Sequence, residues 1–149
     1  MVSTPTKHPP RNPSTPQPTP SPFTLKDTQS TIADLHRPID ERHLKTLTKG
    51  KGEKAQEFAF IPWGVVCKSL HHRAPGWGWE LLEVKELGGY VVVSGRLTVP
   101  TTDGVLHYSG VASEPLESAS YAPPVESAAS GALRRAAALA GLGLDLYLS

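Results

Sequence analysis

Residues 79–112 read "WELLEVKELGGYVVVSGRLTVPTTDGVLHYSGVA". Three runs rich in aromatic and β-branched residues, Trp79–Leu87, Tyr90–Val99 and Val105–Ala112, are separated by short Gly-containing breaks. Gly88-Gly89 is a two-residue hairpin signal, and "PTTDG" predicts a five-residue hairpin loop. In the central run Val91, Val93, Leu97 and Val99 alternate onto one face. Tyr90, Val92, Ser94, Arg96 and Thr98 fall on the other, so one side is buried and the other partly wet. The pattern predicts a three-stranded antiparallel meander.

Outward from the meander the signals become helical. Pro123-Pro124 opens a segment from about Val125 to Ala140, "VESAASGALRRAAALA". On a helix Ser127, Gly131, Arg134, Arg135 and Ala138 share one side. Ala128, Ala132, Leu133, Ala136 and Ala140 share the other, which packs closely on the sheet while the two guanidiniums emerge at the boundary. The "GLG" that follows could pass for a nucleotide-binding loop, but such a loop follows a strand and opens a helix. Here it follows a helix, and Gly141 or Gly143 can supply the left-handed residue of a C-cap.

Upstream, Pro62 suits the first turn of a helix over about Trp63–His72, after a short extended piece "EFAFIPW". Residues 27–50, "DTQSTIADLHRPIDERHLKTLTKG", read as helix capped by Ser30 or Thr31, with Ile32, Leu35, Ile39 and Leu44 as the apolar stripe and Gly50 as the stop. Pro38 divides it into two short helices or one kinked helix. Residues 1–22 hold eight of the fifteen prolines among Ser and Thr. Such a tail cannot bury apolar surface and is expected to be disordered; a transit peptide is the alternative. The expected organisation is a tail over 1–22 and one α+β domain over 23–149, with helices gathered on one face of a small sheet.

The net charge of +1 hides two opposed halves. Arg42, Lys45, Lys49, Lys51 and Lys54 face a lone acid, Glu53, between residues 42 and 54, whereas residues 74–126 hold seven acids and two bases. A single cysteine, Cys67, excludes an intrachain disulfide and reads as core packing rather than a reactive thiol. No apolar run reaches the roughly 20 residues that span a bilayer. No secretory h-region opens the chain, so a soluble, intracellular protein is expected.

Catalytic constellations are weak. Glu80, Glu83 and Glu86 lie on one strand, but ideal alternation sends Glu80 and Glu83 to opposite faces. His71 and His72 are adjacent on a helix and cannot both face one metal, and His107 is expected opposite Arg96 as a surface pair. No nucleophile elbow is present. Paired Arg134 and Arg135 alone suit a solvated helix face. Joined to the distant lysine run, they match a groove that tracks a phosphate backbone.

Three stretches, in this order, resemble the Rad-fifty-two superfamily of single-strand annealing proteins. "EFAFIPWGVVCKSLHHRAPGWGWEL" is similar to its strand, helix and "GW" entry to the first hairpin, and "GGYVVVSGRLTVPTTDGVLHYSGVAS" to its strand–loop–strand. "ESAASGALRRAAALAGLGLDLYL" resembles its final helix, with paired bases before small residues and a terminal glycine. The similarity covers about Ile32 to Leu148 and rests on order and spacing rather than on one motif. It implies a β-β-β-α core, assembly into homo-oligomeric rings or spirals, and single-stranded DNA held in a positive groove.

The family's paired backbone-contacting bases fall at Arg134 and Arg135, and a further basic residue falls near Lys49 or Lys51. Lys45, Lys54 and Arg96 complete the expected DNA-binding set. Annealing in this family needs no ATP, metal or other cofactor. The resemblance departs where Glu114, Glu117 and Glu126 replace frequent lysines, so it does not extend to a second, outer DNA site, and Ala138 replaces a third basic residue of some relatives. The long C-terminal region of larger relatives is not among these residues, so recombinase loading is not implied. The expected function is ATP-independent binding and annealing of single strands in DNA repair and recombination, in a nucleoid-associated cytoplasmic or an organellar setting. The alternatives are a strand or end protector that does not anneal, a metal-dependent nuclease using Glu80 or Asp103, and a structural scaffold.

Overall fold

The computed structural model describes residues 24–117 and 122–148; the Pro-rich tail expected over 1–22 lies outside them. In chain order they form α1 (Thr28–His36), a 3-10 turn (Glu41–His43), β1 (Lys45–Lys49), a 3-10 turn (Gly52–Lys54) and β2 (Gln56–Phe60). There follow α2 (Trp63–Arg73), β3 (Gly78–Leu87), β4 (Tyr90–Thr101), β5 (Gly104–Pro115), α3 (Pro124–Leu139) and a last 3-10 turn (Leu144–Tyr147). The fold is α+β: β3-β4-β5 is an antiparallel meander, and β1-β2 is a separate two-stranded sheet.

The meander matches its sequence pattern closely. Val91, Val93, Leu97 and Val99 are all buried under α3, and Gly88 and Gly89 both take positive φ (+54° and +81°), the backbone of a tight two-residue hairpin. The second connection differs from expectation. Thr101 pairs with Gly104, leaving a two-residue turn of Thr102 and Asp103 in place of a five-residue loop. The Thr101 hydroxyl closes it, donating to the Gly104 carbonyl (2.7 Å) and accepting from the Asp103 N–H (3.1 Å). The register therefore sets Arg96 opposite Ser109, and His107 opposite Thr98 rather than Arg96.

A bulge between Leu81 and Glu83 shifts the β3 register. Glu80 pairs with Arg96 and Glu83 with Ser94, so both carboxylates lie on the outer sheet face, not on opposite faces. Leu82 carries the extra residue, which alternation alone does not reveal.

Helix α3 lies on β4 and β5 through a seam of small residues: Ala128, Ala132 and Ala136 are fully buried. Gly110 of β5 makes this approach possible. A Cβ there would fall inside contact distance of the Ala132 carbonyl oxygen and 2.7 Å from the Ala136 nitrogen. Ala138, expected on the arginine side, is buried as well, while Leu139 is 64% exposed. The residues assigned to the sheet side, Ala128, Ala132, Leu133, Ala136 and Ala140, are all buried, so the buried face is wider than a bare wheel assigns and takes in Ala138. "GLG" is the helix stop. The Leu142 N–H donates to Ala137 (2.8 Å) and the Gly141 N–H to Ala138 (2.9 Å), with Gly141 at φ +113°, the paired closure of a Schellman motif.

The helix expected over residues 27–50 is instead a helix, a turn and a strand. Its cap is Asp27, whose carboxylate accepts from the Ser30 N–H at 2.7 Å, rather than Ser30 or Thr31. Beyond Pro38 the chain does not return to helix: Lys45–Lys49 alternates "KTLTK" and pairs with "QEFAF". Arg73 of α2 terminates α1 by donating to the carbonyls of Asp34 (3.3 Å), Arg37 and Pro38 (3.3 Å). Asp34 in turn holds Lys26 and Arg37.

The hydrogen bond from Lys26, with the charges of Lys26, Arg37 and Arg73, keeps the Asp34 carboxyl below its ordinary value against the opposing effect of burial. A depressed folded-state pKa contributes stability above the unfolded value, and that contribution is lost as pH falls. Thermal midpoints are therefore expected to drop as pH falls below about 4, and Asp34→Asn is expected to flatten that dependence in a pH-resolved melting series.

Candidate nucleic-acid interface

The β1-β2 hairpin and the end of α3 enclose a groove of about 510 Å³. One wall is the hairpin face carrying Leu47, Phe58 and Phe60. The other is Arg134 and Arg135 with Leu142 and Tyr147. Strand alternation puts Phe58 and Phe60 on one face, and the register sets Leu47 opposite Phe58 and Lys45 opposite Phe60, so these four share it.

The two arginines are not equivalent. Arg135 is exposed, whereas Arg134 is half-buried with its guanidinium 5.9 Å from the Phe60 ring centroid, a cation–π distance. Burial pushes the Arg134 pKa down from its ordinary value and Arg135 adds repulsion, while Tyr147 and Glu114 favour the charged form. A guanidinium stays protonated through such a shift. Neither arginine has an ion pair among the described residues, and Glu114 is the one carboxylate lining the groove. The result is an aromatic- and aliphatic-walled channel with two adjacent cations on one side.

The remaining expected site residues disperse. Lys45 stands at the hairpin's end and also lines a neighbouring cleft against α2. Lys51 and Lys54 are exposed at the hairpin tip, and Lys49 lies in β1 opposite Gln56. Arg96 is on the outer sheet face beside Glu80 and Ser109, away from α3, and does not join the groove. Leu47, Phe58, Phe60 and Tyr147 were not anticipated. The signal available was the alternation of "QEFAF", which aligns two phenylalanines once a partner strand is recognised.

Two of the residues considered for catalysis make structural hydrogen bonds. The Asp103 carboxylate accepts from the Thr28 N–H at 2.8 Å, anchoring the start of α1. His71 Nδ1 accepts from the Trp77 indole at 2.9 Å. Among the described residues no group of three His, Cys, Asp or Glu side chains is placed to hold a metal, and no helix is long and apolar enough to cross a membrane. Burial pushes the Cys67 thiol up, opposite to the shift of a reactive cysteine. Alkylation by iodoacetamide at pH 7.5 is expected to be several-fold slower than for a free thiol, as read by mass spectrometry.

The chain is 27% identical over 118 residues to DNA repair RAD52-like protein 1, mitochondrial, of Arabidopsis thaliana, an alignment covering 78% of this chain and 67% of that protein. It is 32% identical over 117 residues to DNA repair RAD52-like protein 2, chloroplastic, of the same plant, covering 78% of this chain and 58% of that protein. These homologues are Rad52-like DNA repair proteins. No protein-family model matches it. The chain spans about two thirds or less of the length of these two relatives. The order of elements expected from the resemblance holds from β2 through α3.

Proposed function

We propose that the chain binds single-stranded DNA in the groove between the β1-β2 hairpin and α3, and anneals complementary strands without ATP, as a ring or spiral of identical subunits serving DNA repair. The observation that carries this reading is the side-by-side placement of Arg134 and Arg135 against the aromatic wall of Phe58 and Phe60. Two adjacent cations neutralise successive phosphates, while the rings offer apolar contact that every base or sugar can use without sequence preference. Both relatives bear names as DNA repair proteins, which supports the repair context, and their mitochondrial and chloroplastic designations support an organellar setting.

In this mechanism the protein supplies no covalent chemistry. It reduces the electrostatic repulsion and the conformational entropy that oppose meeting of two strands, and base pairing supplies the free energy. Assembly is supported by the sheet: α3 hardly reaches β3, where Leu81 and Val84 on the helix-side face are about half exposed (49% and 50%). Among the described residues the outer edges of β3 and β5 are also unpaired, and such edges and apolar patches are surfaces that proteins ordinarily cover.

The test is a stopped-flow annealing assay with complementary labelled oligonucleotides in EDTA and without nucleotide. Wild type is expected to accelerate annealing, and Arg134→Ala/Arg135→Ala to abolish most of the acceleration. An inactive wild type, or a fully active double variant, overturns the proposal.

A further inference from the structure

A second concavity, of about 790 Å³, lies between the α1–β1 connection and α2, next to the groove and sharing Lys45 with the hairpin face that walls it. Five cationic side chains line it against one carboxylate, Asp40. Its Oδ2 accepts from Arg42 Nε at 3.0 Å and lies 2.9 Å from Nη2, which positions that guanidinium and offsets one of the five cations, and Arg37 is paired with Asp34. Arg73 is likewise fixed, by the α1 carbonyls. Lys45 and Lys68, with the imidazoles of His43 and His72, have no ion pair and no side-chain hydrogen bond among the described residues. The first turn of α2 borders the same space at Gly64, and its cap residue Pro62 provides no side-chain acceptor. The positive end of that helix therefore adds to the cations.

We propose that this cleft is a second phosphate-binding site that holds the nucleic-acid backbone as it leaves the Arg134–Arg135 groove, with Lys45 at the junction. The composition selects nucleic acid over a protein partner. Free lysines are depleted from protein interfaces, whose anchors are buried aromatic and aliphatic side chains; this cleft has lysine, arginine and histidine and no Phe, Tyr or Trp. A backbone-only contact also suits its position beside a groove whose rings face the strand. The basic residues Arg37, Arg42, Lys68 and Arg73 come from the α1–β1 connection and α2, so the site owes nothing to the final helix.

The proposal rests on the groove being a strand-binding site, and the experiment separates the two. Binding of labelled oligo-dT is measured by fluorescence anisotropy from 50 to 300 mM salt for wild type, Arg42→Gln/Lys68→Gln and Arg134→Ala/Arg135→Ala. Both cleft positions are exposed, and a matching thermal midpoint confirms the fold. The cleft variant is expected to bind roughly five- to tenfold more weakly at low salt, with a salt slope shallower by about 1.4, the release from two single-strand phosphates. Charge reversal at the same positions, Arg42→Glu/Lys68→Glu, deepens the loss. Unchanged affinity and slope in the Gln variant, with loss in the arginine variant, overturn the cleft and leave the groove standing. Loss in the cleft variant with none in the arginine variant overturns the groove and with it the path proposed here. Binding of deca-glutamate at the cleft as tightly as oligo-dT assigns the site to an acidic protein partner and overturns the proposal.

Discussion

Gly110→Ala is expected to be the most disruptive single-methyl change in the protein. The added Cβ meets backbone, the Ala132 carbonyl oxygen and the Ala136 nitrogen at 2.7 Å, so no rotamer change can relieve it. Either β5 bends away or α3 lifts from the sheet. Lifting α3 opens the seam formed by Ala128 and Ala132 with Val91, Val93 and Ala112, and by Ala136 with Leu97 and Val99. Overpacking by small groups usually costs about 1–3 kcal/mol. A backbone clash at a helix–sheet seam belongs at or above the top of that range, roughly 3 kcal/mol or more. For a domain of this size that corresponds to a fall in melting temperature of about 10 °C or more, read by circular dichroism. A useful contrast is Gly78→Ala, where a Cβ meets nothing within 4 Å and the change is expected to stay within about 0.5 kcal/mol. Similar midpoints for the two variants would show that α3 does not sit on Gly110 as described.

The largest effect on binding is expected from Arg134→Ala/Arg135→Ala. Removing two phosphate partners is expected to flatten the dependence of log affinity on log salt by about 1.4 and to weaken single-strand binding at low salt by about 10- to 100-fold. The single substitutions separate the roles. Arg135 is exposed and acts as a charge, so Arg135→Lys is expected to keep nearly all of the affinity. Arg134 is packed against Phe60 as well, and a lysine cannot reproduce a planar group lying over a ring. Arg134→Lys should therefore lose several-fold, with the salt slope unchanged because the charge count is preserved. Equal behaviour of the two lysine variants would remove the distinction drawn between them.

Much of this architecture was legible before any coordinates, and the failures share a cause. The meander was readable because alternation, Gly88-Gly89 and a buried Val-rich strand point the same way. Helix α3 was readable because Pro123-Pro124 and "GLG" mark both ends. What failed depended on partners far along the chain. "KTLTK" follows directly on an apparent helical stripe that ends at Leu44, and only pairing with "QEFAF" makes it a strand. The bulge at Leu82 and the two-residue turn at Thr102-Asp103 are register choices set by side-chain capping and packing, to which a periodicity count is blind.

The site followed the same division. The arginines stood out locally, but their aromatic wall existed only once the hairpin had a place. Alternation placed Arg96 on the wet face, and that is where it lies, across the sheet from α3 and apart from the groove; grouping it with the groove residues ignored that face assignment.

The separateness of the β1-β2 sheet has an energetic consequence. Its strands pair only with each other, the described side chains of β1 and most of β2 are exposed, and none of the buried apolar side chains among the described residues lies in either strand. Opening the hairpin thus forfeits little of the free energy of the whole, and it forms a low-cost unfolding unit on one side of the groove. A ligand spanning both walls would tie that unit to the stable layer and raise its protection by linkage. In the proposed mechanism, part of the affinity for a strand would be spent on ordering the hairpin, while Arg134 and Arg135 stand on the helix packed against the meander.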